Sequence, residues 1–447
     1  MPSSDSGLSE AIALDKLSVT YRDEFNIPTA ESFGGTVPEV QGPITYLAGN
    51  SLGLMPKATR NAINDELDAW SARAVDSHFR HPIDDAHNWM DVDLPLVPSL
   101  AKIVGAKESE VACMGTLTMN LNALLAAFYR PTATRFKILF EKKAFPSDFY
   151  AFLNAVKLRG FSPEEALIQI EPRKGEFTIR TEDILESIDK NGDEIALVCF
   201  PGIQYYTGQF FDLKTITDFG HSKGCIVGWD LAHVAGNIPV KLHDLDVDFA
   251  CWCSYKYLNS GPGGIGCIFV HERWSKAETQ IPRVAGWWGN NREKRFEMLE
   301  EFDPIPSALG FRQSNPSVLD VVALHTSLKM FERVGGIDVL FEKSRKLTKF
   351  LEDQLHKSPF YLEAGELDNK VGFTIITPTD PNSRGAQLSV LFSSHALMEK
   401  VNSYLQAHGI VCDERKPSVI RIAPTALYNT FEDVFRTVDA INTGIST

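Results

Sequence analysis

Cys225-Ile-Val-Gly-Trp-Asp230-Leu-Ala-His233 and, further on, Phe249-Ala-Cys-Trp-Cys-Ser-Tyr-Lys256-Tyr-Leu-Asn-Ser-Gly-Pro-Gly-Gly-Ile-Gly266 decide the reading of this chain. Each begins as a short apolar run, as strands buried on both faces do, and each ends in polar chemistry. Asp230 stands where the first run stops, and Lys256 follows the second, just before a glycine-rich turn. A lysine so placed can form a Schiff base with an aldehyde cofactor, and an aspartate at a strand end can keep a pyridine nitrogen protonated. A covalent tether and a charged electron sink are what pyridoxal phosphate chemistry requires. Lys256 alone would read as a surface lysine; its pairing with Asp230 carries the functional reading.

Working outward, Val111-Ala-Cys-Met, Phe136 to Phe140, Ile195 to Phe200 and Gly266 to Val270 are further buried-strand candidates separated by helical stretches. That alternation predicts an α/β fold with a largely parallel sheet, whose ligands bind beyond the carboxyl ends of the strands. Asp230 and Lys256 both fall there. The pattern changes near Asn315: helices over 319–334 and 339–357 lead into strands at Val371 to Ile376 and Ser418 to Ala423. The expected organisation is a large domain over 46–315 and a smaller α+β domain made of 1–45 and 316–447. Helices are also expected over 14–25 and over 57–74, the latter with Ile63, Leu67 and Trp70 on its apolar face.

The 447 residues are 44% hydrophobic and 23% charged, enough for a sizeable core. A formal charge of −14 and a pI near 5.3 argue against nucleic acid and anionic membranes as partners. The seven cysteines lie mostly in or beside apolar segments and form no CxxC pair, which points to reduced thiols in a cytoplasmic protein and away from disulfides or structural zinc. The first residues lack the basic and apolar stretches of a signal peptide, and no run is long enough to span a bilayer.

Other residues add chemistry. Thr116-Leu117-Thr118 follows a strand and opens an apolar-periodic run, so the backbone N–H groups there could cradle a phosphate; a plain helix cap is the alternative for Thr118. Phe145, in Phe145-Pro146-Ser147-Asp148, could stack on a flat ring or simply fill the core. His233 lies within reach of the ring that Asp230 would hold; Asp-x-x-His offers only half a metal site, and no metal is expected. Tyr206 and Tyr255 are hydroxyl donors within reach of a phosphate. Arg421, inside the apolar run Val-Ile-Arg421-Ile-Ala-Pro, needs a carboxylate, either a ligand's or a neighbour's.

Taken in order, Gly49-Asn-Ser51-Leu-Gly53, Phe145-Pro-Ser-Asp148, Tyr206-Thr-Gly-Gln209, Asp230-Leu-Ala-His233, Ser254-Tyr-Lys256, Gly286-Trp287, Ser314-Asn315-Pro316 and Arg421-Ile-Ala-Pro424 resemble the kynureninase family in its eukaryotic form, over nearly the whole chain. The resemblance implies fold type I of the pyridoxal phosphate enzymes, in the class V aminotransferase group. It makes Lys256 the Schiff-base lysine and proton-transfer base, and Asp230 the partner of the pyridinium nitrogen with His233 nearby. Leu117, Thr118, Tyr206 and Tyr255 would serve the phosphate, and Phe145, Pro146, Ser147 and Asp148 would lie against the ring. Tyr206 is also, by position only, a candidate catalytic acid or base. Trp287 and Asn315 would come from the neighbouring subunit of a homodimer. Arg421 would take the substrate α-carboxylate, while Ser51, His78 and Asn315 would line the aromatic end of the pocket. The implied reaction is hydrolysis of L-kynurenine or its 3-hydroxy form, in tryptophan catabolism and NAD synthesis. One position departs from the family: Pro201 stands where a serine is frequent. A cysteine desulfurase on the same fold would need a mobile nucleophilic cysteine, and Cys412, in Gly409-Ile-Val-Cys-Asp, reads as strand.

Overall fold

Strands β1 (Val111–Cys113), β2 (Lys137–Glu141), β3 (Leu167–Ile170), β4 (Ile195–Pro201), β5 (Ile226–Asp230), β6 (Phe249–Cys253) and β7 (Gly266–Val270) form one sheet in the order β1-β7-β6-β5-β4-β2-β3. The pairs from β3 through β2, β4 and β5 to β6 are parallel. β7 runs antiparallel to both β6 and β1. The computed structural model describes residues 4–33, 41–83, 86–276 and 281–447. Six of these strands are the apolar runs that the sequence singles out. The seventh, β3, is an edge strand of only partly buried residues, so it lacks the continuous apolar signal.

The sheet belongs to a unit made of Ala58–Gln204 and Phe211–Gly336. Its core is aromatic: Phe128 stacks on Phe249 with centroids 4.8 Å apart and lies parallel to Phe311 at 6.2 Å. Phe249 lies against β5 at Gly228, where a Cβ would stand 2.1 Å from its ring. Only glycine lets the ring pass so close.

The second unit comprises Met1–Lys57, Tyr205–Phe210 and Ile337–Thr447. Strands β8 (Phe373–Ile375), β9 (Leu388–Phe392), β10 (Asp413–Arg415) and β11 (Val419–Ile422) form an antiparallel sheet in the order β8-β9-β11-β10. Its core includes Leu347, Leu351, Val390, Ile420, Ile422, Val434 and Val438. Thr45–Tyr46 pairs in parallel with Ile410–Val411, binding the first segment of this unit to the last.

Three details differ from the sequence reading. The first helix is Ser4–Lys16, with a separate 3-10 turn at Arg22–Glu24. Leu17 and Val19, inside the expected span, are both exposed. Helix Val318–Arg333, expected with the C-terminal domain, groups with the large sheet, and Ser99 donates to the Glu332 carboxylate. Helix Lys57–Arg73 forms as expected, but Trp70 is 64% exposed and the buried positions are Thr59, Glu66 and Ala69.

Candidate active site

Parallel pairing of β5 with β6 brings their carboxyl ends to one edge of the sheet, so Asp230 and Lys256 meet there. Lys256 Nζ lies 3.0 Å from His233 Nε2. With the amine neutral, the imidazole N–H can donate to its lone pair; with the amine charged, the ammonium donates to the imidazole. The Phe145 ring lies 6.0 Å from Nζ and the Tyr255 ring 5.8 Å. Phe145 is 41% exposed, so its face is available to a flat ligand. Pro146 begins helix Pro146–Leu158, where its missing N–H costs nothing. Ser147 and Asp148 follow in the same turn.

Beneath these groups lies a carboxyl pair. Asp230 is buried, and its Oδ1 accepts the Ala232 N–H at 2.7 Å. Asp148, also buried, lies close enough for the two carboxyls to act on each other's charge. Burial holds Asp148 well above the usual carboxylate range, with the charges of Asp230 and Glu141 adding to it. Burial also raises Asp230, but the Ala232 N–H, Lys256 and Asp148 oppose that rise. Of the two, Asp148 is the carboxyl that burial drives further toward its protonated form, and Asp230 is the one better placed to carry charge. A protonated pyridine nitrogen is the natural partner for that charge. Glu141, at the end of β2, is a third buried acid, raised well above its normal range by burial, which no sequence signal marks.

A further part of the site is built by backbone. Helix Leu117–Phe128 starts at Thr116, whose side chain makes no cap hydrogen bond, and follows Gly115 at φ +50°. A Cβ on Gly266 would stand 3.1 Å from Leu117 N and 2.8 Å from Asn120 Nδ2, and one on Gly115 would stand 2.7 Å from Asn120 Oδ1. The amide of Asn120 is buried without a hydrogen-bond partner among the described residues. Two glycines and an uncapped helix start thus leave a small polar hollow at Leu117 and Thr118, suited to an anion. The residues present fit pyridoxal phosphate: an amine, a carboxyl pair, an exposed aromatic face and a phosphate cradle. Asn120, Gly115 and Gly266 escaped the sequence reading; a glycine directly after a strand was the available signal.

His78 and Trp287 fall into one chain of rings. Phe79 is 6.3 Å from His78 and 6.1 Å from Phe296, which is 5.2 Å from Trp287. Asn315 has a buried Oδ1 with no hydrogen-bond partner among the described residues. Ser51, Tyr206 and Arg421 belong to the second unit. Ser51 sits in a turn, its N–H donating to Ala48 O. Tyr206 is half-buried, and burial raises its phenol, which therefore stays protonated at neutral pH. Arg421 is fully buried; Nε and Nη2 meet Asp413 at 3.2 and 2.9 Å, and Nη1 donates to Tyr205 O at 2.8 Å. The neighbour's carboxylate is thus present, and it orients the guanidinium.

Glu110, His243 and His271 bring potential metal-ligand atoms within 4.8 Å of one another. Several of these atoms already serve hydrogen bonds within the chain. Glu110 accepts the N–H groups of Lys107 and Glu272, each at 2.9 Å, and His271 Nδ1 accepts the Arg273 N–H at 3.1 Å. The cluster reads as a brace joining the end of β7 to the start of β1.

Comparison with known proteins follows this geometry. A family profile described as the kynureninase C-terminal domain matches residues 340–441. Kynureninase of Candida albicans is 57% identical, with 97% of each chain covered. Kynureninase of Saccharomyces cerevisiae is 55% identical over 97% of this chain and 99% of its own. The chain belongs to the kynureninase family. Its fold also resembles a cysteine desulfurase from Thermococcus onnurineus, with TM-score 0.70, 18% identity and coverage of 90% of this chain and 95% of that one. Fold type I, with its large mainly parallel sheet, follows from that likeness. Desulfurase chemistry does not: Cys412, the thiol nearest the C-terminus, is buried, and burial beside Asp413 pushes it up to about 12.

Proposed function

We infer that this kynureninase-family chain hydrolyses the Cβ–Cγ bond of L-kynurenine and 3-hydroxy-L-kynurenine, giving L-alanine with anthranilate or 3-hydroxyanthranilate. The observation that carries it is end-to-end identity of 55–57% with kynureninases. The reaction belongs to tryptophan breakdown and leads toward NAD. The cofactor is pyridoxal phosphate, which when bound supplies a carbonyl for exchange with the substrate amine and a cationic ring that accepts electrons from Cα.

The chain's residues then have distinct tasks. Lys256 holds the cofactor, gives it up to the substrate amine, and moves the proton at Cα. Asp230, the carboxyl better placed to carry charge, retains the ring-nitrogen proton. Phe145 stacks on the ring with His233 on the same site, and the N–H groups at Leu117 and Thr118, with Tyr255, hold the phosphate. Arg421 is assigned the substrate α-carboxylate, and Ser51, His78 and Asn315 the aromatic end. Water adds to the γ-carbonyl; the Cβ–Cγ bond breaks with its electron pair going to Cβ, which takes a proton and becomes the alanine methyl. Tyr206, protonated at neutral pH, is the proposed acid for the carbonyl oxygen. The protein acts as a homodimer in which Trp287 and Asn315 serve the partner's site; exposed Trp287, Phe79 and Phe296 support this. Its seven free, buried cysteines suit a reducing, cytoplasmic setting. No helix among the described residues is long and apolar enough to cross a membrane.

Replacing Lys256 by Ala should abolish turnover together with the visible absorbance of the bound cofactor; retained turnover would overturn the assignment. His78→Ala and Asn315→Ala should change the ratio of kcat/KM between kynurenine and its 3-hydroxy form, and equal losses on both substrates would remove those two residues from the pocket.

A further inference from the structure

We propose that Gln387 and Ser389, on and beside β9, are positioning residues that hold Tyr206, the Ser51 turn and Arg421 in one register for the substrate; this rests on the reading just given. Residues Tyr205–Phe210 group with the C-terminal unit although Gln204 and Phe211 on either side do not. Beyond a single backbone bridge, Gln209 to Arg384, the segment is held by side chains. Tyr205 O accepts from Gln387 Nε2 at 3.1 Å and from Arg421 Nη1 at 2.8 Å. Tyr206 O accepts from Ser389 Oγ at 2.6 Å, and Thr207 O from Thr377 Oγ1 at 2.6 Å. Three consecutive carbonyls are therefore fixed by polar side chains of one sheet.

Gln387 is the hub of this arrangement. Its Nε2 also donates to Ser389 Oγ at 3.0 Å, and its Oε1 accepts from Asn50 Nδ2 at 2.8 Å. Asn50 adjoins Ser51 in the Gly49–Gly53 turn, which packs so closely that a Cβ on Gly49 would stand 2.4 Å from Thr425 Oγ1. One 2%-exposed amide thus connects the elements bearing Ser51, Tyr206 and, through a shared carbonyl, Arg421. Buried amides and hydroxyls carry a desolvation cost that an apolar side chain of the same shape avoids, so a core serving stability alone has no need of them. What they add is directionality: each bond fixes where one carbonyl, and the side chain next to it, must lie.

The test uses the holoenzyme carrying Gln387→Met, which keeps the volume and removes all three side-chain hydrogen bonds, and Ser389→Ala. KM for kynurenine should rise and kcat fall, together lowering kcat/KM about tenfold or more, while cofactor absorbance and cofactor affinity stay as in the wild type. Ser389→Thr, which restores the hydroxyl, should recover most of the loss. Unchanged kinetics in both variants would overturn the proposal. So would loss of activity in step with loss of cofactor, since that is what a purely structural role gives. If Gln387→Met does not fold, Ser389→Ala and its Thr rescue decide the matter. A wild-type protein that releases no alanine and anthranilate from kynurenine would sink the functional reading itself, a result distinct from failure of the clamp.

Discussion

The buried carboxyls of Asp148 and Asp230 show how one buried group bears on the charge of another. Asp148→Asn keeps a neutral polar group beside Asp230, whereas Asp148→Ala removes it and leaves a cavity. The first should keep cofactor affinity within a few-fold of wild type, and the second should weaken it about tenfold or more, measured by cofactor titration of the apoenzyme. A second residue governs stability. Burial in helix Val318–Arg333, with Lys329 and His87 nearby, lowers His325 to about 4 from an ordinary 6.5. Between those values the unfolded chain binds a proton that the folded chain refuses, so stability falls as pH drops from 6.5 to about 4 and is insensitive to this group above 7. His325→Gln should flatten the slope of Tm against pH in that window, an effect of about 1–2 kcal/mol after allowing for its partial exposure. Lys256 and Asp230 were legible in the sequence because each follows an unbroken apolar run. Glu141 and Gln387 were not, because a lone acid or amide beside a strand looks the same whether it faces water or the interior.

At the scale of elements, the start of helix Leu117–Phe128 is the clearest case of backbone making a site. Gly266→Ala would bring a methyl to about 3 Å from Leu117 N and from the Asn120 amide. Cofactor affinity should fall about tenfold, with phosphate competing less well for the apoenzyme, read by fluorescence titration; unchanged affinity would place the phosphate elsewhere. The helical stretches over 57–74, 319–334 and 339–357 were readable from apolar spacing, and the structure has helices at Lys57–Arg73, Val318–Arg333 and Ile337–His356. The bounds of the first helix were not, since Leu17 and Val19, within the expected span, face solvent and give it no buried face. What defines Ser4–Lys16 is docking on the C-terminal helix, where a Cβ on Gly7 would meet the Phe435 ring at 2.7 Å.

At the scale of the whole molecule, the large unit depends on its aromatic centre. Phe249→Ala removes the ring stacked on Phe128 and leaves a void beside Gly228, and should cost about 3–5 kcal/mol, seen as a lowered midpoint in denaturant unfolding. The proposed homodimer makes a different prediction. Inactive Lys256→Ala chains mixed and reassembled with Trp287→Ala/Asn315→Ala chains should regain about a quarter of wild-type activity, because half the dimers are hybrids with one intact site. No recovery would mean that each chain supplies its own Trp287 and Asn315. The sequence by itself determined the fold class, the seat of Lys256 and Asp230, and the family, because strand-length apolar runs and the residues ending them are local features. Only the tertiary structure decided which chain segments group together, which carboxyls are buried beside each other, and that Asp413 and Gln387 hold Arg421 and the Tyr206 loop. Those outcomes depend on burial and on hydrogen bonds between residues far apart in the chain, and linear spacing carries no record of either.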